Sequence, residues 1–220
     1  MRLRHGYTNR TRRRTAGVVE KTYDGADAGA RSRREYRCLT SLADRLPVPR
    51  VIEWDASASV LTLVEMPGTH GQDMIEAGRG REVLQLLGSL LRELQELDPA
   101  SVSGLPGEGD VIVHGDFGPQ NVLIGDGRIS ALLDWEFAHV GRAIEDLAWA
   151  EWIVRMHHPR HSDELPELFG AAPLVPDWRD RHAAMVTRCR ELLRNAERAG
   201  SPDGIALWQQ RLRLTAQWTE

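Results

Sequence analysis

Apolar and polar positions alternate or recur with a clear period along most of the chain. Arg10–Arg14 and Val18–Tyr23 read as two strands, joined at Thr15-Ala16-Gly17 by a hairpin turn signal. Ala28–Leu46 carries Tyr36, Leu39, Leu42, Ala43 and Leu46 at helical spacing. The two prolines of LPVPRVIEW end that helix and lead into an extended segment. VLTLVE, Val60–Glu65, reads as a buried strand closed by Pro67-Gly68. Strands, a helix and further strands within the first 65 or so positions predict a small α+β lobe.

Pro67–Gly71 is the expected hinge. Beyond it the period changes to 3.6. Arg81–Leu97 places Val83, Leu84, Leu87, Leu90, Leu91 and Leu94 on one stripe, and Asp98-Pro99 stops it. A loop follows, then VIV, a tight polar stretch, and the VLI-GDG-ISALL unit, whose Asp-Gly turn signal predicts a hairpin. Ile144–His157, Trp178–Ala199 and Ile205–Trp218 read as helices. No internal repeat or low-complexity segment interrupts the pattern.

Composition adds limits. The chain has 220 residues, 41% hydrophobic and 27% charged, which describes an ordinary globular protein of one large domain or two lobes around a cleft. No apolar run approaches membrane-spanning length. The basic start, MRLRHGYTNRTRRR, lacks the apolar stretch of a signal peptide. Cys38 and Cys189 stand far apart without metal-type spacing, so a reducing, cytoplasmic setting is expected.

Charge is divided unevenly. Residues 1–50 carry 13 Lys/Arg against 5 Asp/Glu, whereas the remainder carries 15 against 27. A basic first part suits a polyanion such as a nucleotide, and an acidic remainder suits a cationic partner. Glu151, Asp163, Glu164 and Glu167 are the acidic residues flagged for such a partner. Lys21 is the single lysine among 28 basic residues, so one strand position keeps a compact ammonium where every other uses Arg.

The informative segment is VIVHGDFGPQNVLI, Val111–Ile124. A strand delivers His114-Gly115-Asp116 into a loop that ends at Asn121, where a second strand begins. Such a polar cluster between two apolar strands places side chains instead of burying them. Asp134 stands eighteen residues past Asp116, at the end of the returning strand, so the hairpin can bring Asn121 and Asp134 to one end. A carboxylate beside a reacting hydroxyl, together with a carboxylate and an amide oxygen for a hard cation, meets the requirements of phosphoryl transfer.

On these residues the chain resembles the aminoglycoside phosphotransferase and choline-kinase-like group, relatives of the protein kinases. The matching features are His114-x-Asp116-x4-Asn121, Asp134 in LLDWE, Lys21 on a strand and Glu35 on the following helix. The five-residue Asp-to-Asn spacing follows the kinase catalytic loop, with Gly115 where that pattern has Arg. The resemblance runs from GYTN (6–9) to the IEDLAW segment, Ile144–Trp149.

It implies an α+β, bilobal protein-kinase-like fold, with a small β-rich nucleotide-binding lobe (1–66) and a mainly helical catalytic and acceptor-binding lobe (67–220). It implies a small-molecule O-phosphotransferase that uses ATP or GTP with Mg²⁺. Asp116 would be the catalytic base, and Asn121 and Asp134 the magnesium ligands. Lys21 would contact the α- and β-phosphates and pair with Glu35. Gly6, Thr8 and Asn9 would sit over the phosphates, Glu65 and Met66 would offer backbone groups to the base, and Asp146 would buttress the loop. An aminoglycoside-like cationic alcohol is the first expected acceptor, with macrolides, choline-like alcohols and homoserine as alternatives. Neither nucleic acid nor membrane is expected as a partner. A nucleotide-binding module without turnover and a metallophosphohydrolase are the competing functions.

Overall fold

A computed structural model describes residues 9–220. The first sheet has four antiparallel strands in the order β1-β2-β4-β3: β1 (Asn9–Thr15), β2 (Val18–Tyr23), β3 (Val51–Asp55) and β4 (Val60–Val64). Helix α1 (Ala28–Leu42) packs against β2, β3 and β4. It ends four residues before the expected Leu46. The N–H groups of Arg45 and Leu46 both turn back to the Leu42 carbonyl, and Pro47 follows. Leu46 stays buried, so the apolar spacing continues past the regular helix. The extended segment after Pro49 pairs with β4 and is a strand in its own right.

The strand β5 (Thr69–His70) lies within the expected hinge, and the helix α2 (Gly71–Glu76) starts at its last residue. Helix α3 (Gly80–Gln95) then buries all six predicted apolar positions. Each fully buried aliphatic side chain there contributes about 1.5–3 kcal/mol. Strand β6 (Val111–Val113) pairs with β9 (His139–Gly141). The predicted hairpin is present as β7 (Val122–Gly125) and β8 (Arg128–Leu132), and β5 adds to the edge of β7. Helices α4 (Ile144–His157), α5 (Leu165–Ala171), α6 (Trp178–Arg198) and α7 (Pro202–Thr215) complete the chain.

Helix α7 starts three residues before the expected Ile205. Ser201 caps it by accepting the Gly204 N–H at 3.2 Å, and Pro202 occupies the first turn, where a missing N–H costs nothing.

Two apolar clusters result. The larger joins α1, the sheet and α3 to β6–β8. The smaller gathers Trp149, Trp152, Met185 and Cys189 among α4, α6 and α7. Both cysteines are free and buried. Among the described residues no helix is long and apolar enough to cross a membrane.

Candidate active site

The walls of one cavity of about 320 Å³ come from the first sheet, residues 65–70, and the loops that flank β7 and β8. Lys21, Glu35, Asn121 and Asp134 all line it. Alternation along β2 turns Val19, Lys21 and Tyr23 inward, and α1 brings Glu35 up to them. Lys21 Nζ donates to Glu35 Oε2 at 2.5 Å and to Asp134 Oδ1 at 2.6 Å. The Tyr23 hydroxyl donates to the same Glu35 oxygen at 2.5 Å. Burial works against the charge on Lys21, but Asp134 and Glu35 outweigh it and hold the ammonium above its ordinary pKa.

The loop after β6 is fixed through its backbone. Asp146, at the start of α4, accepts the N–H of His114 at 2.7 Å and of Gly115 at 3.0 Å. His114 accepts the Asp116 N–H at Nδ1 and sits 2.8 Å from the Leu133 carbonyl at Nε2, so Nε2 carries the proton. Burial pushes its pKa down to about 4, which keeps the ring neutral. Gly115 adopts φ +83°, and a Cβ there would come 2.5 Å from the Phe137 carbonyl oxygen. That contact explains why the position following His114 holds glycine.

Asp116 is gripped at both oxygens. Oδ1 accepts the indole N–H of Trp149 at 2.9 Å, and Oδ2 accepts Asn121 Nδ2 at 2.8 Å. Burial raises its pKa, opposed by these two donors. Asn121 Nδ2 also donates to the Asp116 carbonyl. Two acceptors on one atom settle which end of the side-chain amide is nitrogen, and they leave Asn121 Oδ1 for other work.

The hairpin register sets Val122 opposite Leu132, and the Leu133 N–H bonds the Asn121 carbonyl at 2.8 Å. Asn121 and Asp134 therefore share one end of the hairpin. Asp134 itself takes a left-handed conformation, φ 64° and ψ 56°, which costs an ordinary residue of order 1–3 kcal/mol and turns its carboxylate toward Lys21. Burial pushes the Asp134 pKa up, but the Lys21 ammonium overrides it and holds the carboxyl below its usual value.

The remaining expected residues fall differently. Gly6 and Thr8 lie outside the described residues. Asn9 lines the cavity, but its amide is committed: Nδ2 donates to Glu136 at 2.9 Å and Oδ1 accepts from Arg31 at 3.0 Å. Glu65 and Met66 both line the cavity. The Glu65 N–H bonds the Gly17 carbonyl, so the backbone groups left to face a ligand are the Glu65 carbonyl and the Met66 N–H.

Of the acidic residues flagged for a cationic partner, Glu151 is fully buried against Arg155 and Arg181, Glu164 bonds His161, and Glu167 pairs with Arg81. Only Asp163 of the four is exposed without such a pairing among the ion pairs described. His157, His158 and His161 form no metal-type cluster, and none of three or more His, Cys, Asp or Glu exists among the described residues.

Arg31 and Glu136 near the site were not singled out by the sequence, and the helical spacing of Trp149 suits the core or an acceptor pocket without showing its bond to Asp116. Arg31 binds Glu136 at 2.6 Å in a buried pair. Glu136 stands two positions after Asp134 in the quoted LLDWE, and Arg31 one helical turn before Glu35; those spacings were the available signal.

Comparison with known proteins gives a consistent result. A family model described as "phosphotransferase enzyme family" (APH) matches residues 1–110 and 103–185. A viomycin phosphotransferase of Streptomyces vinaceus is 34% identical over 90 residues, 39% of this chain and 31% of the relative. A hygromycin-B 4-O-kinase of Escherichia coli is 38% identical over 69 residues, 29% of this chain and 20% of the relative. The matched stretches thus span less than a third of either curated relative. The structure of a GDP and kanamycin complex of APH(2")-IIIa superposes with a TM-score of 0.78 at 13% identity, covering 98% of this chain and 92% of that one. That likeness shows the bilobal kinase-like fold. The chain belongs to the phosphotransferase enzyme family, APH.

Proposed function

We propose that the chain moves the γ-phosphoryl group of ATP or GTP to a hydroxyl of a small acceptor, of which an aminoglycoside-like cationic alcohol is the first choice. The observation that carries this reading is that Lys21, Glu35, Asn121 and Asp134 line one cavity, while Asn121 also holds Asp116 at 2.8 Å. On this reading residues 1–66 form the nucleotide lobe and 67–220 the catalytic and acceptor lobe. The end of the first sheet at Val64 supports that division.

Asp116 orients the acceptor hydroxyl and takes its proton as the acceptor oxygen bonds to the γ-phosphorus. The bond from that phosphorus to the β-phosphate oxygen breaks, and the nucleoside diphosphate leaves. Lys21, held by Glu35, bears on the α- and β-phosphates. The Glu65 carbonyl and the Met66 N–H meet the base edge.

The donor set fits magnesium. Asn121 has its nitrogen on Asp116 and its oxygen free for a ligand, and Asp134 has one oxygen on Lys21 and a second remaining. Two hard oxygens with room for water and phosphate suit this ion, which seldom takes an all-protein cage. When bound, magnesium neutralises the charge on the phosphate oxygens.

Three observations support a cationic acceptor: the surplus of 27 acidic over 15 basic residues beyond position 50, the relatives named for viomycin and hygromycin B, and kanamycin in the APH(2")-IIIa complex. The test is turnover of magnesium ATP and GTP against kanamycin, hygromycin B, erythromycin, choline and homoserine. Magnesium-dependent transfer to an amino sugar is expected. Nucleotide binding with no transfer to any of the five would overturn the reading in favour of a binding module.

A further inference from the structure

The transfer site has a back wall, and its residues have no part in the roles above. Trp149 on α4 donates its indole N–H to Asp116 Oδ1 at 2.9 Å. With Asn121 on Oδ2, each oxygen of the carboxylate has one N–H donor, which fixes both the plane of the group and its rotation about Cβ–Cγ.

The indole is itself immobilised. It stacks on Trp152 at 4.4 Å and 5°. Trp208 of α7 leans on both rings, 6.4 Å from Trp149 and 5.8 Å from Trp152. Trp152 in turn donates its own N–H to Thr215 of α7 at 2.8 Å. On α6, Arg188 places its guanidinium 5.7 Å from the Trp149 ring and donates to the Gly115 carbonyl at 2.8 Å. Gly115 immediately precedes Asp116 in the chain.

Packing alone does not account for this. An aromatic stack would accept Phe at the position, because only the ring faces take part. Trp adds one polar atom, and that atom is bonded to Asp116.

We propose that Trp149 is a positioning residue for phosphoryl transfer: it sets the orientation of the Asp116 carboxylate so that a lone pair faces the acceptor hydroxyl. Arg188 braces the same unit from α6, through the ring and the loop backbone. The C-terminal helices thereby fix the geometry of the base, although none of their residues lines the cavity that holds Lys21 and Asp134. The inference rests on Asp116 acting as the base.

The test uses the full chain and the best acceptor from the five named above. Trp149→Phe removes the N–H and keeps an aromatic face. Replacement of Trp149 by 3-benzothienylalanine keeps shape and stacking and exchanges only N–H for sulfur, so it answers the question even if the Phe variant folds poorly. A kcat about 10- to 100-fold below wild type is expected, as for loss of a partner that orients a functional group. The KM for nucleotide is expected to stay within about twofold, since the nucleotide groups lie elsewhere.

On an Asp116→Asn background the same replacement should cost little more, because the two changes remove one function. Wild-type kcat in the benzothienyl variant, or a loss borne by nucleotide KM, would overturn the positioning role alone. Undiminished transfer by Asp116→Asn, or no transfer to any acceptor by the wild type, would overturn the base reading and this proposal with it.

Discussion

Lys21 and Asp134 stand 113 positions apart in the chain, and their charged atoms meet at 2.6 Å. The contact ties the centre of the first sheet to the turn two residues after β8. The ammonium is almost wholly buried and already serves two carboxylates, so its pocket is shaped for a compact cation. A guanidinium needs more width and a planar approach. Lys21→Arg is therefore expected to raise the KM for nucleotide about tenfold or more, the equivalent of one charge-assisted hydrogen bond at about 1.5–3 kcal/mol. Wild-type affinity and turnover in that variant would show that the single lysine has no functional cause.

The parts of the site legible in the sequence are those set by local order. His114, Asp116 and Asn121 sit in one loop, and a hairpin signal returned the chain to Asp134. Lys21 and Glu35 stood on a strand and the next helix, where period alone could place them. What stayed hidden depends on contacts between distant segments. Arg34 stands in an Arg-rich stretch with Arg33 and Arg37 and nothing in the sequence sets it apart, yet it donates to the Glu136 carbonyl at 2.8 Å. Trp149 had the spacing of a core residue, and no periodicity shows that an indole N–H finds a carboxylate. Glu151 looked like a surface acid because its partner Arg181 lies 30 residues away on another helix. Burial of a charge is visible only once its counter-charge is in place.

Removal of the base should separate chemistry from binding. Asp116→Ala is expected to lower transfer by about two to four orders of magnitude, the usual contribution of a positioned general base. Nucleotide affinity should stay within about twofold of wild type, because the cavity that holds Lys21 and Asp134 does not include Asp116. Isothermal titration with a non-hydrolysable nucleotide beside steady-state kinetics reads both quantities. Parallel loss of affinity and turnover would show that Asp116 has a structural role instead.

A half-buried contact gives a pH signature. His139 lies 2.9 Å from Glu145 where β9 leads into α4. Burial opposes the imidazolium, but the Glu145 and Phe137 hydrogen bonds outweigh it, and the pKa of His139 is raised above 6.5. Burial likewise opposes the Glu145 charge, and His139 with the Arg142 N–H holds that pKa below 4.5. The histidine's contribution to stability is complete below pH 6.5 and is lost as pH rises through the raised value. The glutamate's is complete above pH 4.5 and is lost as pH falls through the lowered value. The Tm difference between wild type and His139→Gln should therefore be largest between about pH 4.5 and 6.5 and narrow at higher pH. A difference constant from pH 5 to 8.5 would mean the pair adds no charge-dependent stability.

The costliest single change in this region should be Glu136→Gln. Glu136 accepts from Asn9 and Arg31, and the two charged side chains are 2% and 8% exposed. Arg31 also reaches Asp27, so one guanidinium joins α1, the start of β1 and the turn after Asp134. Neutralising Glu136 leaves the buried Arg31 guanidinium with only the exposed Asp27 as counter-charge, at about 3–5 kcal/mol. For a chain of this size that corresponds to a Tm lower by about 6–20 °C, read by calorimetry. Arg31→Met with Glu136→Leu should cost less than the sum of the two single changes, since no charge is then stranded. The same node holds α1 against the turn that follows Asp134, so Glu136→Gln should also loosen the Lys21–Glu35–Asp134 contacts and raise nucleotide KM. A loss of stability with nucleotide KM unchanged would confine the pair to folding, and equal Tm in variant and wild type would remove it from both.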